Sequence, residues 1–210
     1  MVSKTDICNR ALIEAKYDIA IESMTEKSVA AERCNRLYDS CRKSLLSQYP
    51  WVFATKRIKL ARVSEDVEGY KYAYVYPRDC LTMRAIYLHE QDFKVKHLRI
   101  SPVNNTRVFN INGTKVLGCD YEEPFLEYTF DEQTEENFSE LFTRCLEFEI
   151  ALPLAKLSGA DGSDLQLLAA QREQMKAMAE AQSVAEDDNH LRVHDDEYIL
   201  VREGCPVTRI

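Results

Sequence analysis

Apolar residues recur at intervals of three and four near both ends of this chain and alternate through its middle. Ser3 followed by Asp6 has the form of a capping box ahead of the run from Ile7 to Ala15, which predicts a short helix. A loop through residues 17–26 separates it from a longer helix over 27–49. There Ala30, Cys34, Leu37, Tyr38, Cys41, Leu45 and Tyr49 make a single apolar stripe. Pro50 stops that helix. Trp51 and Phe53 follow as large aromatics expected to anchor the junction between helical and β parts.

The middle reads as β structure. Residues 55–62 alternate, with Ile58 and Leu60 against Arg57 and Lys59. Tyr70, Tyr72, Tyr74 and Tyr76 fall on one face of a strand ended by Pro77, and 81–88 suits a buried strand. Asn112-Gly113 stands between two alternating runs, 107–111 and 114–117. That dipeptide supplies the positive φ angles of a type I′ turn, so a hairpin is predicted. One more strand is expected over 125–130.

Helical spacing returns at Glu135, where Phe138, Leu141, Phe142, Cys145, Leu146 and Ile150 form a stripe that Pro153 is expected to kink or divide. Ser163 with Gln166 suggests a cap for a last helix over 164–185. Beyond it, Glu186-Asp187-Asp188-Asn189 is a charge run, and the strand-like stretch is Tyr198, Ile199, Leu200 and Val201. The predicted class is α+β. Terminal helices (1–54 and 131–185) pack as a bundle around an inserted antiparallel β block (55–130), with an extended C-terminal tail over 186–210.

Composition narrows the function. The chain has 210 residues, 45% hydrophobic, with six Gly and six Pro, enough for one substantial core or two small ones. The sequence holds no apolar run of membrane-spanning length and does not open like a signal peptide, so a soluble intracellular protein without membrane contact is expected. A net charge of -8 disfavours free duplex binding. The seven cysteines form no C-x-x-C pair, and Cys34, Cys41 and Cys145 fall on apolar stripes, which fits reduced thiols in packing positions.

Candidate chemistry is sparse. The phosphate-loop, dinucleotide, zinc-protease and nucleophile-elbow motifs are all absent. His190 and His194 have helical spacing for two metal ligands, yet they sit in an acidic segment expected to be solvated. Glu132, Glu135, Glu136, Glu140, Glu147 and Glu149 offer carboxylates for glycoside hydrolysis, though most fall opposite the apolar stripe. The tyrosine row beside Lys56, Arg57, Lys59 and Arg62 fits either a stacking platform for single strands or a protein interface, and the acidic balance favours the interface. No catalytic residue, cofactor or metal is expected. The competing functions are a cell-wall hydrolase and a nucleic-acid-binding factor.

Two aromatic passages carry a family resemblance. Leu45-Leu46-Ser47-Gln48-Tyr49-Pro50-Trp51-Val52-Phe53-Ala54-Thr55-Lys56-Arg57 resembles the helix followed by H-P-W-x-F-A-x-R in podovirus tail tubular protein A and related head-to-tail adaptors, with Gln48-Tyr49 where many relatives have Glu-His. Tyr72-Ala73-Tyr74-Val75-Tyr76-Pro77-Arg78-Asp79-Cys80-Leu81 is similar to the family's Y-x-Y-x-Y-P-x-D-C-L. Cys8-Asn9-Arg10-Ala11-Leu12 fits the family's opening, and the likeness extends over about residues 3–185. The resemblance implies a subunit of a ring, commonly twelvefold, at the head-tail junction of the virion. Such a ring docks under the portal protein, presents a platform to the tail nozzle protein, and lets DNA pass through its lumen without specific binding. Closure of a ring needs two different faces on each subunit. Tyr198, Ile199, Leu200 and Val201 are the candidate partner-binding segment, as a strand added to a partner's sheet. Trp51, Phe53, Asn112 and Gly113 are the candidate structural anchors.

Overall fold

The computed structural model describes residues 2–94, 98–103 and 105–202, with side chains described as far as Glu186 apart from that of Lys94. The molecule is α+β: four helices frame two small antiparallel sheets.

Helix α1, Lys4–Glu14, begins with the reciprocal Ser3–Asp6 capping box. Helix α2, Val29–Gln48, is capped by Ser28, whose hydroxyl accepts from the Ala31 amide. Helix α3, Glu140–Ser158, starts at the Ser139 cap. Helix α4, Gly162–Arg202, packs on α3. Cross-contacts set the directions. Arg10 meets Glu147 and Tyr17 meets the Leu154 carbonyl, so α1 and α3 run alike. Arg172 lies near Glu149, and the Ser183 hydroxyl accepts from the Val52 amide, so α4 returns toward the sheets. Ile7, Leu12, Cys34, Tyr38, Leu45, Phe142, Leu146 and Leu154 fill the helical core.

Pro153 does not divide α3. A proline removes the hydrogen bond to the carbonyl four residues earlier, here that of Glu149. The Cys41 thiol of α2 donates to this carbonyl at 3.5 Å. Burial, then the nearby Glu149 carboxylate, pushes that thiol up to about 11, so it keeps its proton for the contact.

The β block has strands β1 (Thr55–Lys59), β2 (Tyr72–Val75), β3 (Cys80–Tyr87), β4 (Thr106–Ile111), β5 (Thr114–Cys119) and β6 (Phe125–Phe130). They form the sheets β1-β6-β3 and β2-β5-β4. Side chains of both sheets, among them Tyr74, Ile86, Leu117, Leu126 and Tyr128, meet in one cluster, which makes the block a two-layer sandwich. Asn112 at φ 51° and Gly113 at φ 81° turn β4 into β5. Gly118 is required by close approach: a Cβ there would lie 2.8 Å from both Phe109 and Tyr70 ring carbons.

Two expectations are corrected. The four tyrosines do not present a common open face. Tyr74 is fully buried, and its hydroxyl donates to the Tyr121 carbonyl and accepts from the Glu123 amide. Tyr70, Tyr72 and Tyr76 are half-buried against the block's own clusters. The strand is short and covered on both sides, so period-two spacing does not translate into one exposed side. The C-terminal segment likewise differs: α4 starts at Gly162, ahead of Ser163, and its backbone stays helical through Arg202. Between Glu186 and Arg202 the sequence has no Gly or Pro, and the first breakers are Gly204 and Pro206. Tyr198, Ile199, Leu200 and Val201 therefore lie in helical backbone rather than in a strand. Residues 203–210 lie outside the described residues.

Candidate functional site

Helices and sandwich meet at a joint built from the two aromatic passages. The indole N–H of Trp51 donates to the Leu45 carbonyl at 3.0 Å, and its ring meets Tyr49 and Phe142 edge-on. Trp51 is buried, 1% exposed, while Phe53 is half-buried against Phe138 and Phe142. Phe53, Leu81 and Phe130 pack onto the helical core from the side of the β block.

Polar groups fix the angle of this joint. Arg84 of β3 donates from Nε to the Thr129 hydroxyl at 2.8 Å. Its terminal nitrogen reaches the carbonyls of Ser47 at 3.0 Å and Tyr49 at 2.9 Å. These carbonyls close α2, where a helix has unsatisfied acceptors and the negative end of its dipole. Burial, then the like charge of Arg99, pulls the Arg84 guanidinium below its ordinary value. Arg42, also buried, donates to Asp131 at 2.6 Å and to the Glu132 carbonyl. Asp79 links the passages: it accepts from Lys56 at 2.7 Å and from the Tyr128 hydroxyl at 3.1 Å. Burial opposes ionisation of Asp79, but these two partners hold its carboxyl below the usual range.

On the outer face of the β1-β6-β3 sheet, Glu127 is buried and shared by two arginines. Arg57 Nε donates to it at 2.7 Å and Arg99 at 2.6 Å, while the Tyr87 hydroxyl donates at 3.3 Å. Burial, then the Glu127 charge, pushes the Tyr87 phenol up to about 12.

The acidic residues of the third helical region are each held by a neighbour or exposed. Glu147 is fully buried between Arg10 and Arg144, so it belongs to the packed face of α3. Glu132 accepts from the Thr134 amide and Asn137, and Glu135 accepts from the Tyr38 hydroxyl. Glu149 lies 3.8 Å from Arg172, and Glu136 and Glu140 are exposed. No three His, Cys, Asp or Glu side chains form a metal-ligating group among the described residues. His190 and His194 fall on the backbone of α4, beyond the described side chains. Among the described residues no helix is long and apolar enough to cross a membrane. Sequence reasoning missed Arg42, Arg84 and Glu127, because a lone polar residue inside an apolar run reveals no partner. No family model matches the chain, and no curated protein matches it either.

Proposed function

We propose that this chain is a structural head-to-tail adaptor of a short-tailed phage, a ring subunit that docks under the portal and carries the tail nozzle. One observation supports the reading most directly. The two passages that resemble the adaptor family, remote in sequence, meet at a single joint through the Lys56–Asp79 pair, with Phe53 and Leu81 packed on one core. A joint packed and hydrogen-bonded in this way suits a part that holds two partners in fixed relation. In this reading the α4 extension supplies contact surface, as a helix and not as an added strand.

Electron micrographs of the protein mixed with its portal test the proposal. The expected result is a second ring stacked coaxially on the portal. Particles of bare portal, together with turbidity loss of purified cell wall that a single Glu substitution abolishes, would replace the adaptor with a hydrolase.

A further inference from the structure

We infer that the outer face of the β1-β6-β3 sheet is a docking surface for the acidic C-terminal part of α4 from a second copy of this chain. The surface is cationic within an acidic molecule. Arg57 and Arg99 share the carboxylate of Glu127, and Arg84 on the neighbouring strand spends its hydrogen bonds on neutral carbonyls and a hydroxyl. Two carboxylates, Glu127 and the Glu123 that holds Lys59, stand against four cations, Arg57, Arg84, Arg99 and Lys59. Arg57 and Arg99 keep 40% and 35% of their side chains exposed, and Lys59, beside Arg57 on β1, is 52% exposed and pairs with the exposed Glu123 at 2.7 Å. Apolar surface accompanies the charge: Phe93 lies under the Arg57 guanidinium.

The complement is in the same sequence. Residues 186–202 carry six carboxylates against two arginines, and Asp195-Asp196-Glu197 leads directly into Tyr198-Ile199-Leu200-Val201. Carboxylates interleaved with apolar side chains on a helix complement arginines set against an aromatic ring. The helix has the reach. Ser183 is the last side chain of α4 described as buried, and Arg202 lies nineteen residues on, about 28 Å at the helical rise. A face on one subunit and an arm on the next are two different surfaces, the arrangement that ring closure needs. The contact deepens the ring proposal and rests on it for its setting, but its test does not involve the portal.

Sedimentation velocity of the full chain over a range of concentrations is the test. One variant reverses the arm (Asp195→Lys, Asp196→Lys, Glu197→Lys), and another reverses the face (Arg57→Glu, Lys59→Glu) while Arg99 stays on Glu127. Melting of each variant checks folding, and Lys59→Glu alone serves if the double change unfolds. Wild type should self-associate more weakly as salt rises, and each variant should lose about tenfold or more in affinity. Mixing the two variants should restore association between unlike copies. A wild type that stays monomeric, or reversals that leave association unchanged, would overturn the contact. So would a charge effect on melting that does not depend on concentration, since that marks an arm folded on its own sheet. A duplex gel shift lost on Arg57→Glu would give the face to nucleic acid instead. Failure here leaves portal docking to its own experiment.

Discussion

Arg84 donates to the Tyr49 carbonyl at 2.9 Å, tying the middle of a sandwich strand to the end of the longest fully packed helix. The same guanidinium holds Thr129 of β6, so one side chain spans three elements. Substitution by Met keeps the stem and removes the donors. Arg84→Met should lower stability by about 1.5–3 kcal/mol, the range for hydrogen bonds to charged groups. Arg84→Lys should recover only part of this, because an ammonium lacks the planar fork. Denaturant midpoints read both, and equal midpoints for all three proteins would remove the joint from this account.

Trp51 is the sole tryptophan, so its fluorescence reports the core directly. Emission should be blue-shifted and poorly quenched by acrylamide in the native state. Trp51→Ala should cost about 3–5 kcal/mol in a denaturation experiment. A red-shifted, freely quenched emission contradicts the packing described for it.

The hairpin offers two independent tests. Asn112→Ala or Gly113→Val places a less tolerant residue at positive φ and should cost about 1–3 kcal/mol. Gly118→Ala meets two rings at 2.8 Å and should cost a similar amount, about 1–3 kcal/mol, through overpacking. Unchanged melting of Gly118→Ala would show that Phe109 and Tyr70 give way freely.

Acid should loosen the joint. The carboxyls of Asp79 and Glu132 lie below their usual values, burial opposing ionisation in each. The Lys56 and Tyr128 bonds lower Asp79, while the Thr134 amide and Asn137 lower Glu132. A folded value below the unfolded one, about 3.9 for Asp and 4.3 for Glu, contributes stability that is full above the unfolded value. It is lost as pH falls through the folded value. The melting gap between wild type and Asp79→Asn should therefore be widest near neutral pH and close on acidification. A gap constant across that range would mean that the ion pair contributes nothing.

How much of this was legible depended on what kind of partner each residue has. Ser3 and Asp6 announce a cap because both partners are local in sequence, and Asn112-Gly113 announces a turn for the same reason. The stripe through Cys34, Tyr38 and Leu45 is visible because one face of α2 is buried along its length. Arg84 and Arg42 are illegible because their acceptors include main-chain carbonyls, which leave no mark on residue type. Glu147 reads as solvated until Arg10, from another helix, is brought beside it. The charge run near the end of α4 resembles a tail in sequence, whereas helix interiors tolerate Asp and Glu and are stopped by Gly and Pro.

The proposed adaptor role requires this chain to bind portal rings. Co-sedimentation of the full chain with purified portal rings tests it, with the chain lacking residues 186–210 run in parallel. In the adaptor role the full chain pellets with portals at a fixed ratio set by the ring, and truncation leaves melting nearly unchanged while weakening the pelleting. A full chain that remains in the supernatant at every ratio tried, with portals intact and the chain folded, would contradict it.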